Sequence, residues 1–466
     1  AMALFPDTVS VTDFGAKGDG KADDAKSIQN AIGACPPGGC VYLPSGTYRI
    51  GTPIRLKANM RFHGAHRENT TLRSDRPMSA AIIGADVKGV SIARLTVEGA
   101  NVDPQSETNG GIVFSVSSPN GDVPLNLQIQ CVRIRKFRSS GLSVSGTGDA
   151  VAMGITIRDC VFEDLGYHGV LAYHCRRVLI DNCVMARLGR SGTIFPRARD
   201  VTVRDCFVRT TGWHGIEVGD ESQGFLIENN VVEDSGDHAG VLIEQGAWRG
   251  VIAHNRIVRP RFGGIQLNNK PGKAAVKEVR VVGNLVDMGK NTRNSALLVY
   301  GDTTFRVDDC RIEGNTLIGG RAGLEMHYAR RCIIAGNLIR GAAEAGLDLI
   351  HHQQVLVDGN VIGGPGRYGI RVRPYAKVFT NTDLTITNNI IVNDRTDSQQ
   401  GAGIALNHVV GVRLCTNRVA GYRIGMHTDT CKAIVATGND LRGNVTATRL
   451  PKDSLPADNL EVHTRD

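Results

Sequence analysis

Glu325 and Asp348 hold matching places in two versions of one phrase, Gly-Leu-Glu-Met-His at 323–327 and Gly-Leu-Asp-Leu-Ile at 346–350. If the phrase marks equivalent strands on neighbouring coils, the two backbones lie about 5 Å apart. Carboxylates that close cannot both ionise cheaply, so one pKa should rise. A gap of about 5 Å also suits the nucleophile and acid/base of a retaining glycosidase. His327 falls on the same face, and Arg371 and Arg373 take the equivalent places one phrase later. The pair is therefore expected to be catalytic, with Glu325→Gln and Asp348→Asn each abolishing turnover and sparing the fold.

Glu217 and Glu244 make a second acidic pair, offset by one outward position, so their diagonal is roughly 8 Å. That leaves room for the water of an inverting hydrolase. Trp213 and Trp248, the only tryptophans, flank these strands and offer faces for a sugar ring. Tyr167, His168, Tyr173, His174, Arg190 and His214 form a third set on three consecutive phrases. Tyrosine, histidine and arginine suit β-elimination, which needs a base for the proton alpha to a uronate carboxylate and a cation for the resulting anion. Lys270 is a further base candidate. Gln266, Asn268 and Tyr300 stand in the same outward columns and are expected to bind substrate. No metal-ligand spacing, phosphate loop or nucleophile elbow is present. No cofactor is expected for hydrolysis; a lyase would work with or without calcium.

These residues share a face only if the chain coils, and a repeat between 130 and 440 says that it does. A turn such as Asp159-Cys160, Asn182-Cys183, Asp205-Cys206, Gly314-Asn315 or Gly336-Asn337 precedes an alternating apolar stretch. A glycine turn and a Gly-apolar-x-apolar stretch follow, as at Gly215-Ile216 and Gly369-Ile370. The period, roughly 22 to 25 residues with longer intervals where loops intrude, is too short for a propeller blade and carries no helical stripe. It suits a parallel β-solenoid with two or three short strands per coil. The expected fold is all-β, a single-stranded right-handed parallel β-helix of about 11–13 coils with an N-terminal capping helix.

Composition agrees. Glycine fills 56 of 466 positions, as frequent turns demand, and only 5% of residues are aromatic, so the core must be aliphatic. The eleven cysteines include phased sets, Cys160/Cys183/Cys206 and Cys310/Cys332, read as stacked buried thiols. Cys35 and Cys40 bracket Pro-Pro-Gly-Gly and are placed for a local disulfide. No apolar run is long enough to span a membrane. The net charge of +8 favours a polyanionic partner, but no dense basic block marks nucleic acid. The Ala-Met-Ala start reads as a cloning remnant.

The opening differs from the repeat. Val9 to Gly20 is a strand and glycine turn; Asp23-Asp24 should N-cap a helix from Ser27 to Ala34; Val41 to Ile50 returns as strands. Residues 1–50 are taken as the cap, 51–443 as the β-helix and 444–466 as a polar tail. The loops 269–276, 290–294, 374–383 and 394–400 are expected to wall a cleft.

The run Asp13-Phe-Gly-Ala-Lys-Gly-Asp-Gly20, with Asp23-Asp24, Ser27-Ile28-Gln29 and Val41-Tyr-Leu-Pro-Ser-Gly-Thr-Tyr48, resembles the opening of the pectate-lyase-like superfamily of right-handed parallel β-helix proteins. It is similar in particular to catalytic modules of bacterial mannuronan C5-epimerases. The resemblance implies this fold and a polysaccharide or oligosaccharide ligand, and a superfamily with several chemistries. The epimerase Asp-Pro-His-Glu segment is missing; the comparable coil reads Gly166-Tyr-His-Gly-Val-Leu-Ala-Tyr-His174. Paired-carboxylate hydrolysis is the leading expectation. The alternatives are a lyase or related epimerase on an acidic, uronate-containing polymer, and a non-catalytic, tailspike-like sugar binder. The ligand implies a secreted or periplasmic protein, with no nucleic-acid or membrane partner.

Overall fold

The computed structural model describes residues 7–118, 120–269, 274–374, 381–395 and 401–450. Its chain divides into two units, the first ending at Val231 and the second starting at Val232. Each unit is a parallel β-solenoid whose coils contribute one strand to each of three ladders. In the first unit one ladder pairs Ile82 with Ile112, Ile112 with Leu142, and Leu142 with Val170. In the second the equivalent ladder runs Ile265, Leu297, Leu324, Leu347, Ile370, Ile404. All of these side chains are fully buried. Columns of Val, Ile and Leu, each worth roughly 1.5–3 kcal/mol when buried, thus build the core the composition required. The coils number about 17, against the 11–13 expected. The excess lies largely before residue 130, where strands such as Met60–Gly64 and Thr70–Ser74 coil without the repeat phrase.

The repeat phrase itself has a backbone cause. Its first residue is left-handed in coil after coil, with φ of 55° at Asp159, 50° at Asn182, 53° at Asp205, 64° at Gly314 and 62° at Gly336. Asn, Asp and Gly tolerate that conformation best. The next residue points inward. On three successive coils of the first unit it is cysteine: Cys160, Cys183 and Cys206 are buried, and their thiols lie 3.6, 3.8 and 3.9 Å from the carbonyls of Ile129, Ile157 and Ile180. In the second unit it is asparagine. The Asn315 N–H donates to Asn337 Oδ1 (2.9 Å) and the Asn337 N–H to Asn360 Oδ1 (3.0 Å). The Asn337 amide donates to Ile312 O and Asn360 Oδ1, both at 2.9 Å.

The opening helix runs Ala25–Ala34, two residues earlier than expected, and buries Ile28, Ala31 and Ile32. Asp24 is its N-cap residue but does not cap through its side chain. Its carboxylate instead accepts from the N–H groups of Lys17 (2.7 Å) and Gly18 (3.0 Å), which closes the glycine turn. Asp23 Oδ1 accepts from Ala25 N–H at 3.1 Å. Cys35 and Cys40 are free, buried thiols, not a disulfide. Of the expected cleft walls, 270–273, 375–380 and 396–400 lie outside the described residues, as does Lys270.

Candidate functional site

The outward columns of the second unit are in the register that the phrase implies. Glu244 pairs with Asn268, Asn268 with Tyr300, Tyr300 with His327; Leu298 with Glu325, Glu325 with Asp348, Asp348 with Arg371. Pairing in a parallel ladder makes each of these a vertical neighbour. The proposed Glu325/Asp348 pair is therefore brought together, and His327, Arg371 and Arg373 join it.

The electrostatics differ from expectation. Asp348 has no exposed surface, and its carboxylate is roofed by guanidinium groups. Arg371 reaches it at 3.0 and 2.6 Å, Arg373 at 3.2 and 3.0 Å, and Arg321 at 3.6 Å. Burial raises its pKa, but the bonds from Arg371 and Arg373 prevail and hold it below the usual range. Glu325 accepts from Ser295 Oγ (2.5 Å) and His327 Nε2 (2.7 Å) and pairs with Arg321. Burial again pushes its pKa up, but His327, Ser295 and the Arg321 charge outweigh it, leaving about 2. Glu344 bridges Arg321 (2.9 Å) and Arg371 (2.6 Å). The raised pKa expected of one carboxyl in the pair is absent, because three arginines neutralise what would have been mutual repulsion. Asp348, sealed from solvent, cannot touch a substrate and holds the arginines in place.

One line of this cluster is open to chemistry. Tyr300 is 38% exposed, and its ring lies 5.2 Å from that of His327. With Glu325 ionised, His327 Nε2–H donates to it, leaving Nδ1 as the acceptor. That buried nitrogen has no hydrogen-bond partner among the described residues.

The first unit carries a different cluster. Its three consecutive phrases, Gly166-Tyr-His-Gly, Gly189-Arg-Ser-Gly and Gly212-Trp-His-Gly, stack Tyr167, Arg190 and Trp213 in one column and His168, Ser191 and His214 in the next. The glycines permit the stacking: a Cβ on Gly189 would fall 2.2 Å from the Gly166 carbonyl oxygen. The Arg190 guanidinium lies 4.4 Å from the Tyr167 ring centre and 4.1 Å from that of Trp213. Beneath, Ser191 Oγ donates to Glu217 Oε2 (3.3 Å), and His214 Nε2 lies 3.7 Å from the same oxygen. His168 is fully buried, which lowers its pKa and favours the neutral ring; Nδ1 accepts from Ser191 N–H at 3.3 Å.

Glu217 is thus part of the first-unit cluster, while Glu244 belongs to the second unit; both are buried, not open as expected. Gln266 is buried, and Asn268 half-buried. Trp248 lies under two cations, 4.3 Å from Arg249 and 4.9 Å from Lys277. Tyr173 abuts His174, which with Arg197, Arg199, Asp122, Asp220 and Glu221 lines a hollow of about 260 Å³. Among the described residues no three His, Cys, Asp or Glu side chains converge as a metal set. Sequence reasoning missed Arg321 and Glu344, which stand two residues before the strand glycine, as Tyr167, Arg190 and Trp213 do. Following that column along the repeat would have found them. It also missed Glu107, on a loop outside the repeat.

A family profile described as "Rhamnogalacturonase A/epimerase, pectate lyase-like" matches residues 8–266, and one described as "Right handed beta helix region" matches 276–445. The chain is similar to "Alginate lyase 7" of Azotobacter vinelandii, 31% identical over 199 residues, covering 39% of this chain and 23% of that protein. It is also similar to "Mannuronan C5-epimerase AlgE4" of the same organism, 30% identical over 200 residues, covering 39% of this chain and 35% of that one. The chain thus spans well under half the length of these relatives. Among solved structures the Agl-KA catalytic domain is similar in fold, with a TM-score of 0.57 at 16% identity, covering 72% of this chain and 66% of that one.

Proposed function

Because this chain belongs to the pectate-lyase-like rhamnogalacturonase A/epimerase family, we propose that it is a carbohydrate-active enzyme that cleaves an acidic, uronate-containing polysaccharide by β-elimination at the Tyr300–His327–Glu325 line. The observation that carries this reading is the exposed Tyr300 phenol beside a histidine whose one nitrogen is held by an ionised carboxylate and whose other has no partner among the described residues. Glu325 fixes the tautomer; His327 Nδ1 takes the phenol proton; the phenolate removes the proton alpha to the sugar carboxylate. The electron pair moves into that carboxylate, which the exposed edge of Arg373 neutralises. Collapse breaks the bond to the 4-oxygen, which leaves with a proton from Tyr300. Arginine takes the part calcium would play, since every carboxylate of the cluster is already bonded to arginine, serine or histidine. The names of the two relatives, a lyase and an epimerase of uronate polymers, support the substrate class.

Hydrolysis by Glu325/Asp348 is disfavoured, because neither carboxyl stays protonated to act as acid. The test is digestion of alginate, polygalacturonate and neutral glucans. Unsaturated uronate, seen by its ultraviolet absorbance, is expected, and Tyr300→Phe should lower its rate by about 10²–10⁴-fold. New reducing ends without that absorbance would mean hydrolysis. Binding without chain shortening would mean a sugar-binding module.

A further inference from the structure

In the first unit a single carboxylate oxygen, Glu107 Oε2, stands before two donors that it does not quite reach: Arg190 Nη1 at 3.7 Å and His168 Nε2 at 3.9 Å. Both distances exceed a hydrogen bond. His168 is fully buried, and its Nε2 has no hydrogen-bond partner among the described residues. With Nδ1 accepting from Ser191, Nε2 carries the ring proton and is a donor. Arg190 is held between the rings of Tyr167 and Trp213, which limits where its guanidinium can reach. Two preorganised donors, one of them buried and unsatisfied, converge on one carboxylate.

The backbone of the Glu107 loop is fastened, but its side chain is not. Asp103, itself buried, accepts from the N–H groups of Arg138 (2.7 Å) and Ser139 (3.0 Å), and Ser140 Oγ donates to the Glu107 carbonyl at 2.7 Å. The Glu107 side chain remains 53% exposed. It can therefore swing away without moving the loop.

We infer that Arg190 and His168 form a subsite for the carboxylate of an acidic sugar, which Glu107 occupies as a resident stand-in until substrate displaces it. A sugar carboxylate, free of the loop's tether, closes to full hydrogen-bond distance on both donors, and its ring lies along the aromatic column of Tyr167 and Trp213. His168 and Arg190, against partial burial, hold the Glu107 carboxyl below its ordinary pKa, as an anion site would. The inference rests on the proposed function only for its choice of ligand.

The test measures binding, not turnover. Short oligomers of mannuronate and galacturonate, and their neutral methyl esters, are titrated calorimetrically into the full chain and into Glu107→Gln and Arg190→Gln. Removing the resident charge should tighten the acidic oligomers by about three- to tenfold and leave the esters unchanged. Arg190→Gln should erase the preference for acid over ester; Arg190→Lys, which retains the charge, should keep part of it should the glutamine variant unfold. Unchanged or weaker acid binding in Glu107→Gln, equal binding of acid and ester, or no binding of either would overturn the inference. Tight binding with no unsaturated product would instead overturn the proposed function alone.

Discussion

The two units hold their charged clusters differently. Around Asp348 every carboxylate meets guanidinium or imidazole at hydrogen-bond distance, and Asp348 itself is sealed. Before Arg190 the Glu107 carboxylate stands about half an ångström too far away, and a buried donor, His168 Nε2, is left over, whereas the nitrogen beside Glu325 with no partner among the described residues, His327 Nδ1, is an acceptor. A saturated network is committed to its own architecture; an unsaturated one keeps donors in reserve for a ligand. Proximity of charges in the sequence does not distinguish the two cases. Completeness of their hydrogen bonding does.

That contrast can be broken most forcefully at Asp348. Asp348→Asn should cost about 3–5 kcal/mol in chemical denaturation, since Arg373 would lose its ion pair and three crowded guanidinium groups would have only Glu325 and Glu344 to neutralise them. Glu107→Gln, by comparison, should hardly move the midpoint. Acid should act next. The Glu325 carboxyl falls from an ordinary 4.5 to about 2 in the fold. Its contribution, roughly 3 kcal/mol, is therefore complete above about pH 4.5 and drains away as the pH drops toward about 2. An acid titration by circular dichroism should show this loss, flattened in Glu325→Gln. The smallest effect sharpens a parallel contrast between the ladders. Asn337→Ala orphans the Asn315 N–H and the Ile312 carbonyl and should cost about 2–3 kcal/mol, whereas Cys183→Ala, with only weak thiol contacts at 3.3 and 3.8 Å to lose, should cost about 1 kcal/mol. Equal losses by thermal melting would erase the distinction.

Much of this was legible in the sequence because a solenoid turns spacing into adjacency. The phrase placed Glu325 over Asp348 and Tyr300 over His327, and the ladder register agrees residue by residue. Chemistry was less legible. The same spacing that aligned two acids also aligned Arg371 and Arg373, and which charge prevails depends on bond lengths and burial that spacing does not encode. Asp348→Asn, expected from sequence to silence the protein and spare its fold, is now expected to destabilise it. Glu107 was beyond reach for another reason: the loop from 101 to 109 belongs to no repeat, so nothing in its phase says what it faces.

The thiol ladder has a practical consequence. Nine stacked or enclosed sulfurs are shielded from reagents, but Cys131 and Cys415 are only half-buried. One lies in each unit. Alkylation of native protein, followed by mass mapping over time and denaturant, would thus clock the opening of each half separately, with no cysteine engineered. The cysteines furnish the molecule with two independent chemical gauges of its own breathing.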